Sequence, residues 1–172
     1  IVGSGAIGME FASFYSDLGV DVIIIESLPS ILPNEDSDIS KIVRENFEKR
    51  GIKIKTNATL KAVTNKTNSI SAEISINGKV DIINSEKLIL AIGIIANTEK
   101  LGLENFNIKI DKGHIVTNEF LETDEKRIYA IGDVTNGPWL AHKASHEGIL
   151  CVENIAGHKN LKPIDKTSIP GC

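Results

Sequence analysis

The sequence has 172 residues, 41% of them apolar and 24% charged, with a formal net charge of −4. That is a globular composition, long enough for one large domain or two small ones with a core of ordinary size. It argues against a nucleic-acid-binding protein, which needs clustered basic residues, and against a membrane span, which needs about 20 consecutive apolar residues; no signal-peptide pattern is read either.

The first stretch, IVGSGAIGMEFASFYSDLGVDVIIIE, organises the rest. Ile1 and Val2 read as the tail of a buried strand. Gly3, Gly5 and Gly8 form G-x-G-x-x-G. Residues 9–18 have helical periodicity, with Phe11, Phe14, Tyr15 and Leu18 on one face, and residues 20–25 are a β-branched second strand that ends at an acid, Glu26. Strand, glycine turn, helix, strand and acid is the context in which this glycine pattern binds a dinucleotide. Gly3 permits the tight turn, Gly5 lets a pyrophosphate approach the backbone, and Gly8 lets the helix pack closely on the strand. The helix start offers unpaired N–H groups and a partial positive charge. Glu26 lies at the spacing from which a carboxylate accepts hydrogen bonds from the adenosine ribose. It would repel a 2′-phosphate, so NAD is expected rather than NADP.

Residues 27–36 are a loop with Pro29 and Pro33. Ser37 or Asp38 is expected to cap a helix reaching about Arg50, with Ile39, Ile42, Val43 and Phe47 inward and Gly51 closing it. Residues 52–56 alternate as a strand, which completes a β-α-β-α-β half of a doubly wound nucleotide domain. Residues 58–64, 69–76 and 79–84 read as an antiparallel insertion, with Asn77-Gly78 a type I′ hairpin signal. Residues 88–92 are a continuous apolar strand that returns to the parallel sheet and ends at Gly93, on the edge where ligands bind.

Residues 97–107 read as a loop, and residues 114–116 and 127–130 as short strands. The second of these runs into Gly132-Asp133 and presents Asp133 at its C-terminal end. Residues 140–155 read as a helix with Ala144, Ile149, Val152 and Ile155 buried and Gly157 closing it. Cys151 falls on its apolar face and is expected to be a small buried hydrophobe in a reducing compartment. The chain begins two residues before its first glycine, where a strand usually needs about five, and it ends at Ile-Pro-Gly-Cys. A fragment of a longer protein is expected.

Four stretches together, GSGAIGMEF, LILAIGIIANTEKLGLE, IYAIGDVTNGPWLAHKASHEG and IPGC, make the sequence similar to the flavin-dependent pyridine-nucleotide disulfide oxidoreductases. It resembles most the branch that oxidises dihydrolipoamide within 2-oxo-acid dehydrogenase complexes. The resemblance implies an α/β, doubly wound Rossmann-type FAD/NAD(P)-binding fold with an antiparallel β insertion, plus part of a second FAD-binding domain. Residues 1–107 would be the NAD-binding domain, and residues 108–172 the returning segment of the FAD-binding domain. Gly3, Ser4, Gly5, Ala6, Ile7, Gly8, Met9 and Glu10 would hold the pyrophosphate and nicotinamide side of NAD, with Glu10 toward the nicotinamide. Glu26 would bind the adenine ribose, the backbone near Leu60 the adenine, and Gly93 would line the nicotinamide path. Asp133 would bind an FAD hydroxyl, and Trp139, Leu140, Ala141 and His142 would lie against the flavin.

On the same resemblance, no catalytic residue lies in this chain. The redox disulfide, the acid–base His and the homodimer interface lie elsewhere, and neither Cys151 nor Cys172 matches the redox pair. The implied partner is a lipoyl domain carrying dihydrolipoamide, in a bacterial cytoplasm or mitochondrial matrix. Two positions depart from the pattern: Ile94 and Ala96 stand where Arg and Pro are common, and Trp139 where Met is common. Thioredoxin-reductase-like, NADH-oxidase-like and mercuric-reductase-like relatives remain alternatives, with GPWLAHKA against them, as does a non-catalytic NAD-binding module. His142 and His146 are spaced four apart without a third ligand, so no metal site is expected. Asp133 could also serve as a plain turn cap. Ser4, Ser145 and the histidines form no recognisable triad.

Overall fold

A computed structural model describes residues 1–171 of the chain. It forms two compact units, one over Ile1–Gly93 and one from Ile94 onward.

In the first unit, α1 (Ala6–Asp17) leads to β1 (Ile23–Ile25), and α2 (Ser37–Lys49) to β2 (Lys53–Lys55). β1 and β2 pair in parallel, Ile24 opposite Ile54. Val2 bridges in parallel to Ile25 on one side and Leu90 on the other, with Val2 N donating to Ile89 O at 2.8 Å and Ala91 N to Val2 O at 2.7 Å. The parallel order is therefore β2, β1, the Val2 segment, the Leu90 segment, which is the order of one half of a doubly wound nucleotide fold. Alternation along β1 splits the core between the two faces. Ile24 joins Met9, Ala12, Val22, Ile31 and Ile52 beneath the helices. Ile25 joins Val2, Ala58 and Ile74 beneath an antiparallel sheet. That sheet is β3 (Ala58–Lys66), β4 (Ser69–Ile76) and β5 (Lys79–Ser85), in that order. Its β4–β5 turn has Asn77 at φ 51° and Gly78 at φ 79°, the paired left-handed conformation that a two-residue type I′ hairpin requires.

In the second unit, β6 (Ile110–Asp111) and β7 (His114–Ile115) form a hairpin. Ile115 bridges in parallel to Thr135, and Glu122 antiparallel to Tyr129. A short 3-10 turn at Gly132–Val134 precedes α3 (Ala141–Ile155). Leu121, Leu150 and Cys151 are the buried centre of this unit.

Several expectations change. The face of α1 that packs is Gly8, Met9 and Ala12, joined by Tyr15 of the expected face, while Phe11, Phe14 and Leu18 are exposed. The helix approaches the sheet through its small residues, and bulk on that face would hold it away. On α2, Val43 and Phe47 do pack on the core, but Ile39 and Ile42 are exposed and Ser40 is buried in their place. The α2 cap is Asp36, whose side chain accepts from Asp38 N at 2.8 Å, one residue before the expected start. On α3, Ile149, Val152 and Ile155 are exposed, and the inward face is Lys143, Glu147, Leu150 and Cys151. The strand expected over residues 20–25 is regular only from Ile23 to Ile25. Of residues 114–116 only His114–Ile115 are regular strand, and residues 127–130 contribute a single bridge at Tyr129. Cys172, the last residue of the IPGC stretch, lies outside the described residues.

Candidate functional site

The turn at residues 3–8 is built from three glycines with two different duties. Gly3 sits at φ +97°, a conformation that a side chain rarely adopts. A Cβ on it would overlap the Ala91 carbonyl, and a Cβ on Gly8 would overlap the Gly3 carbonyl. Both glycines are packing requirements. Gly5 differs: its φ is −67°, and a Cβ built on it meets nothing within 4 Å. The space above Gly5 is open, and no backbone strain demands a glycine there. Gly5 is also the N-cap of α1, with no side chain capping the helix and no acid in its first turn. The first-turn N–H groups of a 12-residue helix therefore face that open space. An open cradle at an uncapped positive helix end fits a diphosphate.

Glu26 closes the floor of this turn. It is 6% exposed, at the end of β1, and its carboxylate is fully engaged. Oε2 accepts from Ser4 N at 2.9 Å and from Ser4 Oγ at 2.6 Å. Oε1 accepts from Leu28 N at 2.8 Å and Ser27 Oγ at 3.2 Å. Burial by itself pushes the carboxyl up. The hydrogen bonds from Ser4, Leu28 and Ser27 outweigh it and hold the group below the ordinary carboxylate range. Glu26 thus ties the glycine turn to the loop after β1, with Ser4 as its principal partner. The sequence signals Glu26 by its spacing and Ser4 only by its place between two glycines.

The remaining residues expected in the first unit fall as follows. Ala6, Ile7 and Glu10 are exposed and Met9 is buried. Leu60 is half-buried on β3 and packs on the Ile25 side of the core, so its side chain is structural. Gly93 is exposed, at φ +146°.

In the second unit, Asp133 is exposed in the 3-10 turn. Trp139 donates from Nε1 to Thr135 O at 3.1 Å, so that turn and the start of α3 are joined. The Trp139 ring stacks on His114 with centroids 5.2 Å apart and planes at 16°. His114 is buried with neither ring nitrogen hydrogen-bonded among the described residues. Leu140 is the N-cap of α3 with no side-chain cap, and no acid occupies the first turn, so this helix start too is electropositive and unsatisfied. Ala141 is exposed, and His142 Nε2 lies 3.0 Å from Pro170 O. Among the described residues no three His, Cys, Asp or Glu side chains gather around a metal position.

Two residues that the sequence reading left unassigned are the most deeply buried charges among the described residues. Lys143 is 1% and Glu147 3% exposed, and Nζ lies 3.0 Å from Oε1. Their i,i+4 spacing was visible, but that spacing ordinarily marks an exposed helix pair.

Residues 1–148 match the family model described as pyridine nucleotide-disulphide oxidoreductase. The chain is 49% identical over its whole length to a dihydrolipoyl dehydrogenase of Rhizobium etli and 46% identical to one of Zymomonas mobilis. It spans 36% and 37% of those proteins, little more than a third of the curated relatives it matches. Among solved structures, LpdA from Mycobacterium tuberculosis superposes with a TM-score of 0.82 at 31% identity, over 95% of this chain and 35% of that one.

Proposed function

The chain belongs to the pyridine nucleotide-disulphide oxidoreductase family, and from that premise we propose that it supplies the NAD site and part of the FAD site of a dihydrolipoyl dehydrogenase. The observation that carries the reading is the turn at residues 3–8, where the only glycine with open space at its Cβ position is the one at the helix start. The diphosphate of NAD would rest on Gly5 and on the N–H groups of Ala6, Ile7 and Gly8, with Glu10 one turn further along toward the nicotinamide. Glu26 would receive the adenine ribose. Its four acceptor positions are already taken, so a ribose hydroxyl would replace the Ser27 hydroxyl, the longest of the four contacts. The backbone near Leu60 would border the adenine, and Gly93 the nicotinamide path.

Residues 1–107 would form the NAD-binding domain and residues 108–172 the returning FAD segment. There Asp133 would hold a flavin hydroxyl, and residues 139–142 would lie against the ring, with the uncapped start of α3 supplying positive potential. FAD, when bound, would pass electrons from a disulfide reduced by dihydrolipoamide to the nicotinamide of NAD. The disulfide, the acid–base His and the homodimer interface would come from outside these residues. The partner would be a lipoyl domain of a 2-oxo-acid dehydrogenase complex, in a bacterial cytoplasm or a mitochondrial matrix.

Calorimetric titration with NADH and NADPH tests the cofactor reading. NADH is expected to bind more tightly by tenfold or more, about the effect of one charge repelling a phosphate; tighter NADPH binding would remove the role given to Glu26. In the full-length enzyme, dihydrolipoamide is expected to reduce NAD. Robust turnover by these 172 residues alone would refute the assignment of the reactive groups to other parts of the protein.

A further inference from the structure

We propose that Lys143 and Glu147 are positioning residues for the flavin site, a buried ion pair that fixes the two peptide units meeting at Gly132 and through them the direction of Asp133. The inference rests on the flavin reading of the second unit given above. The pair is closed at 3.0 Å, and each charge has a second duty on the same residue. Gly132 N donates to Glu147 Oε2 at 2.7 Å. Lys143 Nζ donates to Gly132 O at 3.2 Å and to Thr135 Oγ at 3.3 Å. Thr135 Oγ in turn donates to Gly132 O at 2.8 Å. Both backbone polar groups of Gly132 are thus gripped by one helix, and Gly132 is held at φ +75°.

Stability alone does not call for this arrangement. Burying two charges is costly, and an apolar pair of similar volume often serves stability as well or better. What an apolar pair cannot do is hold both peptide units that meet at Gly132, the 131–132 unit by its N–H and the 132–133 peptide by its C=O. The residue whose exit direction that peptide sets is Asp133, exposed and one position on. A carboxylate that must meet a ligand hydroxyl needs its supporting shell locked in this way.

The test uses the full-length flavoenzyme, stripped of FAD and titrated back while flavin fluorescence is followed. Thermal unfolding and NADH titration are run alongside. The variants are Lys143→Met/Glu147→Leu, Glu147→Gln and Asp133→Ala, singly and combined. The apolar double variant leaves the buried Gly132 N–H without its acceptor, so its unfolding temperature is expected to fall by a few degrees while its NADH affinity stays at the wild-type value. Its FAD Kd is expected to rise about tenfold, the affinity equivalent of one misplaced hydrogen bond to a charged group. Adding Asp133→Ala is expected to cost little more, because both changes remove one contact. Should the apolar pair fail to fold, Glu147→Gln replaces the carboxylate by a weaker, neutral acceptor for Gly132 N and breaks its ion pair with Lys143, so a smaller rise in FAD Kd, about threefold, is expected, again not additive with Asp133→Ala. An FAD Kd that stays at the wild-type value, or that falls off additively with Asp133→Ala, would overturn the proposal. A wild-type enzyme that binds NADH but no FAD would overturn the flavin reading itself.

Discussion

At the scale of single residues, three glycines in one turn answer to two causes. Gly3 and Gly8 are held by packing, since a methyl group on either would strike a backbone carbonyl. Gly3→Ala and Gly8→Ala are each expected to lower unfolding stability by about 1–3 kcal/mol in a urea titration, whether or not a cofactor is present. Glu26 adds a pH dependence. Its carboxyl titrates below the ordinary value in the folded chain, so its contribution to stability is complete above the unfolded value of about 4.3. That contribution drains away as the pH falls through the lower folded value. The stability gap between wild type and Glu26→Gln should therefore be widest near neutral pH and shrink toward pH 3; a gap that grew on acidification would contradict the hydrogen-bond assignment. The spacing of Gly3, Gly5, Gly8 and Glu26 is legible in the sequence. That Glu26 turns back onto Ser4 is not, because the spacing places a carboxylate at a strand end without saying which neighbours will claim it.

At the scale of elements, the sequence shows where helices and strands lie more surely than which side of them is inward. Asn77-Gly78 identifies its hairpin because the turn geometry admits few residues, and Gly51 closes α2 at φ +89° for the same reason. Helix faces are harder. On α1 the packed side is chosen by Gly8 and Ala12, whose smallness admits the sheet, while the larger Phe11 and Phe14 remain outside. On α3 the inward side carries Lys143 and Glu147, whose charges disguise it as a surface. Cys151 is correctly read as buried. Burial, helped by the negative charge of Glu122, pushes its thiol up, so native protein at neutral pH is expected to leave Cys151 unalkylated by iodoacetamide until it is unfolded. Peptide mapping would register this, and rapid labelling of Cys151 in the native state would contradict the packing of α3.

At the scale of the whole molecule, the parallel order β2, β1, Val2, Leu90 places the glycine turn at the carboxyl edge of its sheet, the position in which open α/β sheets bind ligands. That much follows from the order of apolar runs along the sequence. The chain spans little more than a third of its curated relatives, so groups these relatives carry elsewhere are not legible here. Among the described residues, no helix is long and apolar enough to cross a membrane. Whether the turn receives a dinucleotide is decided by one titration, NADH against Gly5→Val. The Cβ position of Gly5 is open and its φ is ordinary, so the variant, with Val a poorer N-cap than Gly, is predicted to unfold within a few degrees of the wild type, while its NADH affinity falls by about a hundredfold, the cost of displacing a diphosphate held by charge-assisted hydrogen bonds. A Gly5→Val protein that binds NADH as tightly as wild type would contradict the site.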